Sequence, residues 1–388
     1  MIRPFIASCL LTAVLAAPLQ AAEILVHYIR QEVPQPPTLS NLDAPPADLG
    51  LRGAQLALED NRTTGRFLGQ TWTLTQTSVA PGGDFLAAVS AALAETDLLI
   101  LDAPADQLLA AADLPQAAQA LLFNASAPDT DLRGADCRAN LLHTLPSRAM
   151  LSDALMQFFV TRKWDKIAMI EGSGPGDAEM AQAYDRSANK FGLKIRARKT
   201  WAFDADMRRN ASAEVPLFTQ DLGDYDVLLV ADESNDFARY IPYNTWRPRP
   251  VAGAEGLTPK AWDRVVEQWG AAQLQSRFET LAGRPMDSVD YAAWAALRTL
   301  GEAVTRTGAA DAPGLRAYIL GPDFELGGFK GRPLTFRPWN GQLRQPIALT
   351  HRGALVAQPP LEGFLHQTSE LDTLGLDRPE TPCSAFAQ

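Results

Sequence analysis

Three residues stand close together that suit recognition of a flat anion. Trp246, Arg247 and Arg249 lie in the string Tyr243-Asn244-Thr245-Trp246-Arg247-Pro248-Arg249-Pro250. A guanidinium offers paired donors to a carboxylate, and an indole stacks on a planar π-system. Arg337, Trp339 and Arg344 form a second group of the same kind. Shorter polar clusters sit where apolar runs end: Asp102 with Asp106, Asn124 with Ser126, and Asp232 with Glu233. Two neighbouring aspartates repel a bare carboxylate, whereas Asn124 and Ser126 can donate hydrogen bonds to one. Gly172-Ser173-Gly174-Pro175-Gly176 follows one apolar run, and its backbone N–H groups, with Ser173, could meet an anion at a helix start. It has neither the G-x-G-x-x-G spacing nor the Gly-Lys-Ser/Thr ending of a nucleotide loop. The four histidines show no metal spacing, and no G-x-S-x-G elbow or Ser/His/Asp set presents itself. The residues point to binding, with no required cofactor, and not to catalysis.

The elements that must position these groups alternate. Ile24–Ile29, Thr71–Thr77, Leu98–Leu101 and Ala120–Phe123 read as strands, with helical patterns over Leu49–Asp60, Phe85–Glu95 and Gln107–Ala112 between them. A break at Pro146-Ser147-Arg148 restarts the series: helix Ala149–Thr161, strand Lys166–Ile170, helix Ala178–Phe191, strands Lys194–Lys199 and Val227–Ala231. Strand–helix alternation predicts an α/β fold with parallel sheets, and two such series predict two doubly wound Rossmann-like lobes. Ligands of such sheets bind at the C-terminal ends of the strands. Thr258–Glu279 and Ser288–Arg306 then read as long helices without intervening strands, and Trp339-Asn340-Gly341-Gln342 as a hairpin turn.

The chain of 388 residues carries a formal charge of −10. Arg3 followed by the apolar stretch Phe5–Ala17 reads as a secretory signal over 1–22, cleaved near Ala21 or Ala22. Losing Arg3 and no acid takes the balance to −11. An acidic exported chain without a basic run argues against nucleic acid or an anionic membrane as partner. Cys9 leaves with the signal, so Cys137 and Cys383 remain, and an oxidising compartment favours their pairing.

This order resembles the type I periplasmic solute-binding proteins, the fold of the branched-chain amino acid receptors of ABC transporters. The resemblance rests on Gly50-Leu51-Arg52-Gly53-Ala54-Gln55-Leu56-Ala57 with Asp60-Asn61, on Leu145-Pro146-Ser147, and on Gly253-Ala254-Glu255-Gly256. It implies two lobes, 23–146 plus 257–332 and 147–256 plus 333–388. They are joined by a three-crossing hinge near Leu145–Arg148, Gly253–Leu257 and Arg332–Leu349. It also places Glu255 at the family's ammonium-binding glutamate. The strings Tyr243–Val251, Glu267-Gln268-Trp269-Gly270-Ala271, Gln342-Leu343-Arg344-Gln345-Pro346 and Gly363-Phe364-Leu365-His366-Gln367 resemble a narrower group, the ABC-type binding proteins encoded with PQQ-dependent alcohol dehydrogenase systems. That likeness implies a monomeric periplasmic protein binding PQQ, a planar tricarboxylate suited to Trp246, Arg247 and Arg249. Its expected partner is an ABC permease or a periplasmic PQQ-dependent dehydrogenase. The alternatives are a binding protein for an amino acid, small carboxylate or alcohol-derived metabolite, and an accessory protein that docks on the dehydrogenase.

Overall fold

Residues 22–34, 44–201 and 210–386 are described by a computed structural model of the chain. The expected signal segment, apart from Ala22, lies outside the described residues.

The first lobe is a five-stranded parallel sheet in the order β2-β1-β3-β4-β5, with β1 Ala22–Gln31, β2 Gln70–Val79, β3 Leu98–Asp102, β4 Leu121–Asn124 and β5 Leu141–His143. Helices α1 (Leu51–Leu68), α2 (Phe85–Leu93) and α3 (Ala105–Ala112) make its crossovers. The second lobe repeats the plan after α4 (Arg148–Arg162). Its strands β6 (Lys166–Glu171), β7 (Lys194–Thr200), β8 (Val227–Ala231) and β9 (Val251–Gly253) form a parallel sheet ordered β7-β6-β8-β9. Helices α5 (Pro175–Lys190) and α6 (Ala211–Thr219) cover its two faces. Every residue of β8 is buried, as an apolar run covered on both faces requires.

The chain then returns to the first lobe. β10 (Thr258–Lys260) leads to α7 (Ala271–Ala282), α8 (Ser288–Thr307) and α9 (Ala312–Ile319). Tyr291, Trp294 and Leu297 of α8 pack with Val26 and Ile100 in the largest core cluster. The continuous helix expected over Thr258–Glu279 is not formed. Thr258–Lys260 pairs instead with β11 (Ala348–His351), which pairs with β12 (Ala354–Ala357), and helix begins only after Trp269 and Gly270, both left-handed. Pro259 cannot donate inside a helix, and two successive positive φ angles end any helical run.

The core clusters locate the hinge. Leu145 belongs to the first-lobe core and Met150 to the second; Leu257 belongs to the second and Trp262 to the first; Leu343 belongs to the first and Ile347 to the second. The first lobe therefore runs on to Leu343 and does not end at 332, because Leu334 and Phe336 pack against Phe123 and Phe324. The hairpin at Trp339–Gln342 is present, with Gly341 at φ 67° and Phe336 opposite Leu343. Cys137 and Cys383 are bridged, their Cα atoms 5.7 Å apart.

Candidate functional site

Both parallel sheets turn their C-terminal edges toward the hinge, and the loops there enclose an interlobe cleft. Within it a cavity of about 350 Å³ lies against the crossings. Leu145, Leu151, Met180 and Val289 give it apolar walls, and Arg148, Glu233, Lys260 and Asp287 give it charge.

Arg148 is the centre of the arrangement. It is the first residue of α4, directly after the crossing, and its backbone N–H bonds Pro128 O at 2.8 Å. Ser147 caps the helix by accepting from the Met150 N–H. The Arg148 guanidinium lies 3.4 Å from Asp129 of the first lobe, 2.6 Å from Glu179 of α5 and 3.1 Å from Glu233 after β8. Three carboxylates thus converge on one cation, across the lobe boundary. Burial raises the Glu179 carboxyl above its ordinary value; Arg148 opposes the rise, and Asp129 and Glu233 add to it. Glu233 is placed by Asp177, whose carboxylate accepts from the Glu233 N–H at 2.8 Å and the Gly174 N–H at 2.9 Å. Tyr184 of α5 also lines the cavity. Its hydroxyl is buried, stands against Gly253 and has no hydrogen-bond partner among the described residues.

Of the residues singled out from sequence, Asp102, Ser126 and Glu233 line the cleft. Asp102 accepts from the Tyr28 hydroxyl at 2.8 Å and lies 3.5 Å from Arg30, while burial holds its carboxyl above the ordinary range. The Ser126 hydroxyl accepts from the Ala103 N–H. Asn124 lies beneath, fully buried, accepting from the Ser126 and Ala127 N–H groups and donating to Ala127 O. Asp232 is likewise buried, its carboxylate accepting from the Phe237 and Ala238 N–H groups. Both are scaffold for the loops above them. Ser173 is exposed at the start of α5, and the anion position beside it is taken by Asp177 of the chain itself. Glu255 lies at the end of β9 and accepts from Asn235 Nδ2 at 3.1 Å.

Trp246, Arg247 and Arg249 do not reach the cleft. Segment 240–250 connects β8 to β9, and because those strands are parallel it must run back to the N-terminal edge of the sheet before β9 begins. Pro250 O accordingly accepts from the Leu228 N–H, at the start of β8. A five-residue strand, about 16 Å, separates that edge from the cleft. There Arg247 and Arg249 lie 3.6 and 3.7 Å from Asp224, the Trp246 backbone N–H bonds Thr219 Oγ1, and Trp246 is 58% exposed. The second group is structural too. Arg337 and Arg344 are buried, each 2.8 Å from Asp372 Oδ1, where they hold the C-terminal segment. The residues that sequence reasoning did not reach are Asp129, Arg148, Glu179, Tyr184 and Asp287. One local signal existed for Arg148, a Ser N-cap and an arginine at a lobe crossing.

Among the described residues no group of three or more His, Cys, Asp or Glu could hold a metal ion, and no helix is long and apolar enough to cross a membrane. No protein-family model matches the sequence, and no curated protein matches it. Solved structures do. An ABC transporter substrate-binding protein from Desulfitobacterium hafniense is similar with a TM-score of 0.65 at 16% identity, covering 87% of this chain and 99% of that one. The closed leucine-, isoleucine-, valine-, threonine- and alanine-binding protein from Brucella ovis gives 0.67 at 15% identity, over 85% and 90%. A solute-binding protein of an ABC transporter from R. palustris, in complex with benzoate, gives 0.63 at 12% identity, over 94% and 100%. These likenesses show the fold, that of the type I periplasmic binding proteins, as the sequence order implied.

Proposed function

We propose that this chain is a periplasmic solute-binding protein of an ABC-type uptake system, taking a small molecule into the cleft between its lobes. The observation that carries this reading is the cavity at the hinge. It lies at the C-terminal edges of both sheets, is walled by residues of both lobes, and is small enough to be filled by a metabolite when the lobes close. Binding proteins of this fold work by closing two near-rigid lobes over the ligand. A docking role on a periplasmic dehydrogenase has no such reason to keep an apolar cavity between lobes.

PQQ is the less favoured ligand. The residues that argued for it stand at the far edge of the second lobe. In the cleft, Arg148 is matched by carboxylates, Arg30 lies beside Asp102, and Lys260 lies 2.8 Å from Asp263. A tricarboxylate would meet no unmatched cation among these.

The test is a thermal-shift screen of the purified protein against amino acids, short carboxylates, alcohols, amines and PQQ, followed by small-angle scattering with each hit. One compound class should raise Tm and lower the radius of gyration. If none of the panel changes either quantity, the solute-binding reading is wrong.

A further inference from the structure

The cleft states a charge preference that the fold alone does not. Asp129, Glu179 and Glu233 surround Arg148, so one positive charge faces three negative ones. Asp287 lies on the same cavity, and Lys260 beside it is drawn to Asp263. Helix N-termini could reverse this balance, since each is equivalent to about half a positive charge. At α4 and α8 the first turn is capped by the chain, Ser147 and Asp287 each accepting a first-turn backbone N–H, and at α5 the carboxylate of Asp177 lies in the first turn and accepts from the Gly174 N–H. Side chains of the protein itself thus stand at these three positive ends, and the carboxylates about Arg148 remain in excess.

A second observation points to a ligand in the same place. Tyr184 lines the cavity, and its hydroxyl, buried against Gly253, has no hydrogen-bond partner among the described residues. A buried hydroxyl left unpaired costs stability, and such a group calls for a partner from elsewhere. Apolar walls fill the rest: Leu145, Leu151, Met180 and Val289.

We infer that the cleft selects a small organic cation with an apolar body, a primary amine whose ammonium meets the carboxylates about Arg148 and whose binding gives the Tyr184 hydroxyl its partner. This rests on the solute-binding reading and narrows it to one charge class. Such a ligand neutralises the excess charge across the lobe boundary, so closure and binding reinforce each other.

Four probes of one carbon skeleton test it by calorimetry at low salt: isopentylamine, isopentanol, 3-methylbutanoate and leucine. The amine should bind at least tenfold more tightly than the alcohol or the carboxylate, and more tightly than leucine. Tyr184→Phe should weaken the amine about threefold to tenfold, the worth of one hydrogen bond, while leaving Tm unchanged or higher. A merely structural hydroxyl would lower Tm on removal and leave affinity alone. Tighter binding of 3-methylbutanoate or leucine overturns the cation assignment, as does absence of heat with the amine. The two readings fail separately: a carboxylate that closes the lobes removes only the charge class, whereas no closure by any compound of the wider screen removes the solute-binding reading itself.

Discussion

At the scale of residues, the cleft is built from groups whose partners disagree in number. Glu179 illustrates the consequence. Its carboxyl is raised above 4.5, so the folded state holds that proton more tightly than the unfolded one. A raised carboxyl contributes stability that is fully present below its unfolded value and is lost as pH rises through its folded value. Asp48, Asp113, Asp377 and Glu380 are shifted downward, so their contribution is lost only at more acid pH. Burial also lowers His27, and His143 well below 6.5, so as pH falls from 7 toward about 5 the unfolded state takes up protons that the folded one does not, and the ligand-free protein should lose stability, with Glu179 offsetting part of the loss. Glu179→Gln should remove that offset, steepening the loss toward pH 5, and stabilise the protein at pH 7 by roughly 0.2–1 kcal/mol, the range for exposed charges. Thermal unfolding across pH checks this, and a loss of stability at pH 7 would show that Arg148 needs Glu179 as a charge. Glu233, Asp102 and Ser126 were legible in the sequence because each ends an apolar run, and strand ends of parallel sheets face ligands. Asp129, Glu179, Tyr184 and Asp287 were not. They come from separate segments, and only the hinge brings them to one cavity.

At the scale of elements, the same caps that end helices also aim the site. Asp177 sits in the first turn of α5 and bonds the backbone of Glu233, 56 residues on, as well as that of Gly174. Asp177→Ala should cost about 1–2 kcal/mol through the lost cap, and should also weaken the cleft ligand because Glu233 is no longer held. Titration and denaturation of one variant report both effects; lost stability with unchanged affinity would confine Asp177 to capping. The misread element is the β8–β9 connection. Its Trp and Arg residues have the right chemistry for a planar anion, yet parallel pairing sends them to the wrong edge. Trp246→Ala and Arg249→Ala should accordingly leave cleft affinity within twofold of wild type, in the titration used for Tyr184→Phe. A larger change would place that segment in the ligand path after all. The expected helix over Thr258–Glu279 failed for a related reason: helical spacing of apolar residues cannot reveal that Thr258–Lys260 has a strand partner some 90 residues later.

At the scale of the whole molecule, closure has one more restraint than three crossings. The C-terminal segment lies across both lobes. Leu374 is in the second-lobe core, the Gly375 N–H bonds Asp153 at 2.7 Å, and Arg186 and Lys190 of α5 hold Glu380. A few residues later Thr381 donates to Arg133 O and Cys383 is bonded to Cys137, both on the first lobe. Two remaining cysteines and the expected export made this bridge legible, but not its reach, since the pairing says nothing of what lies before Cys383. The tail is thus a short strap between bodies that, on the proposed solute-binding reading, separate to admit a ligand. Its bridge closes a loop of 246 residues, for which the chain-entropy model gives roughly 4–5 kcal/mol as an upper figure. Cys383→Ser should lower Tm, and it should also release the strap, so that the ligand-free protein opens further. Small-angle scattering of wild type and variant separates the two effects. A lower Tm with an unchanged radius of gyration would mean that the bridge only stabilises the fold. A lower Tm with a larger radius, restored to the wild-type value by saturating ligand, is the result expected of a strap that limits opening.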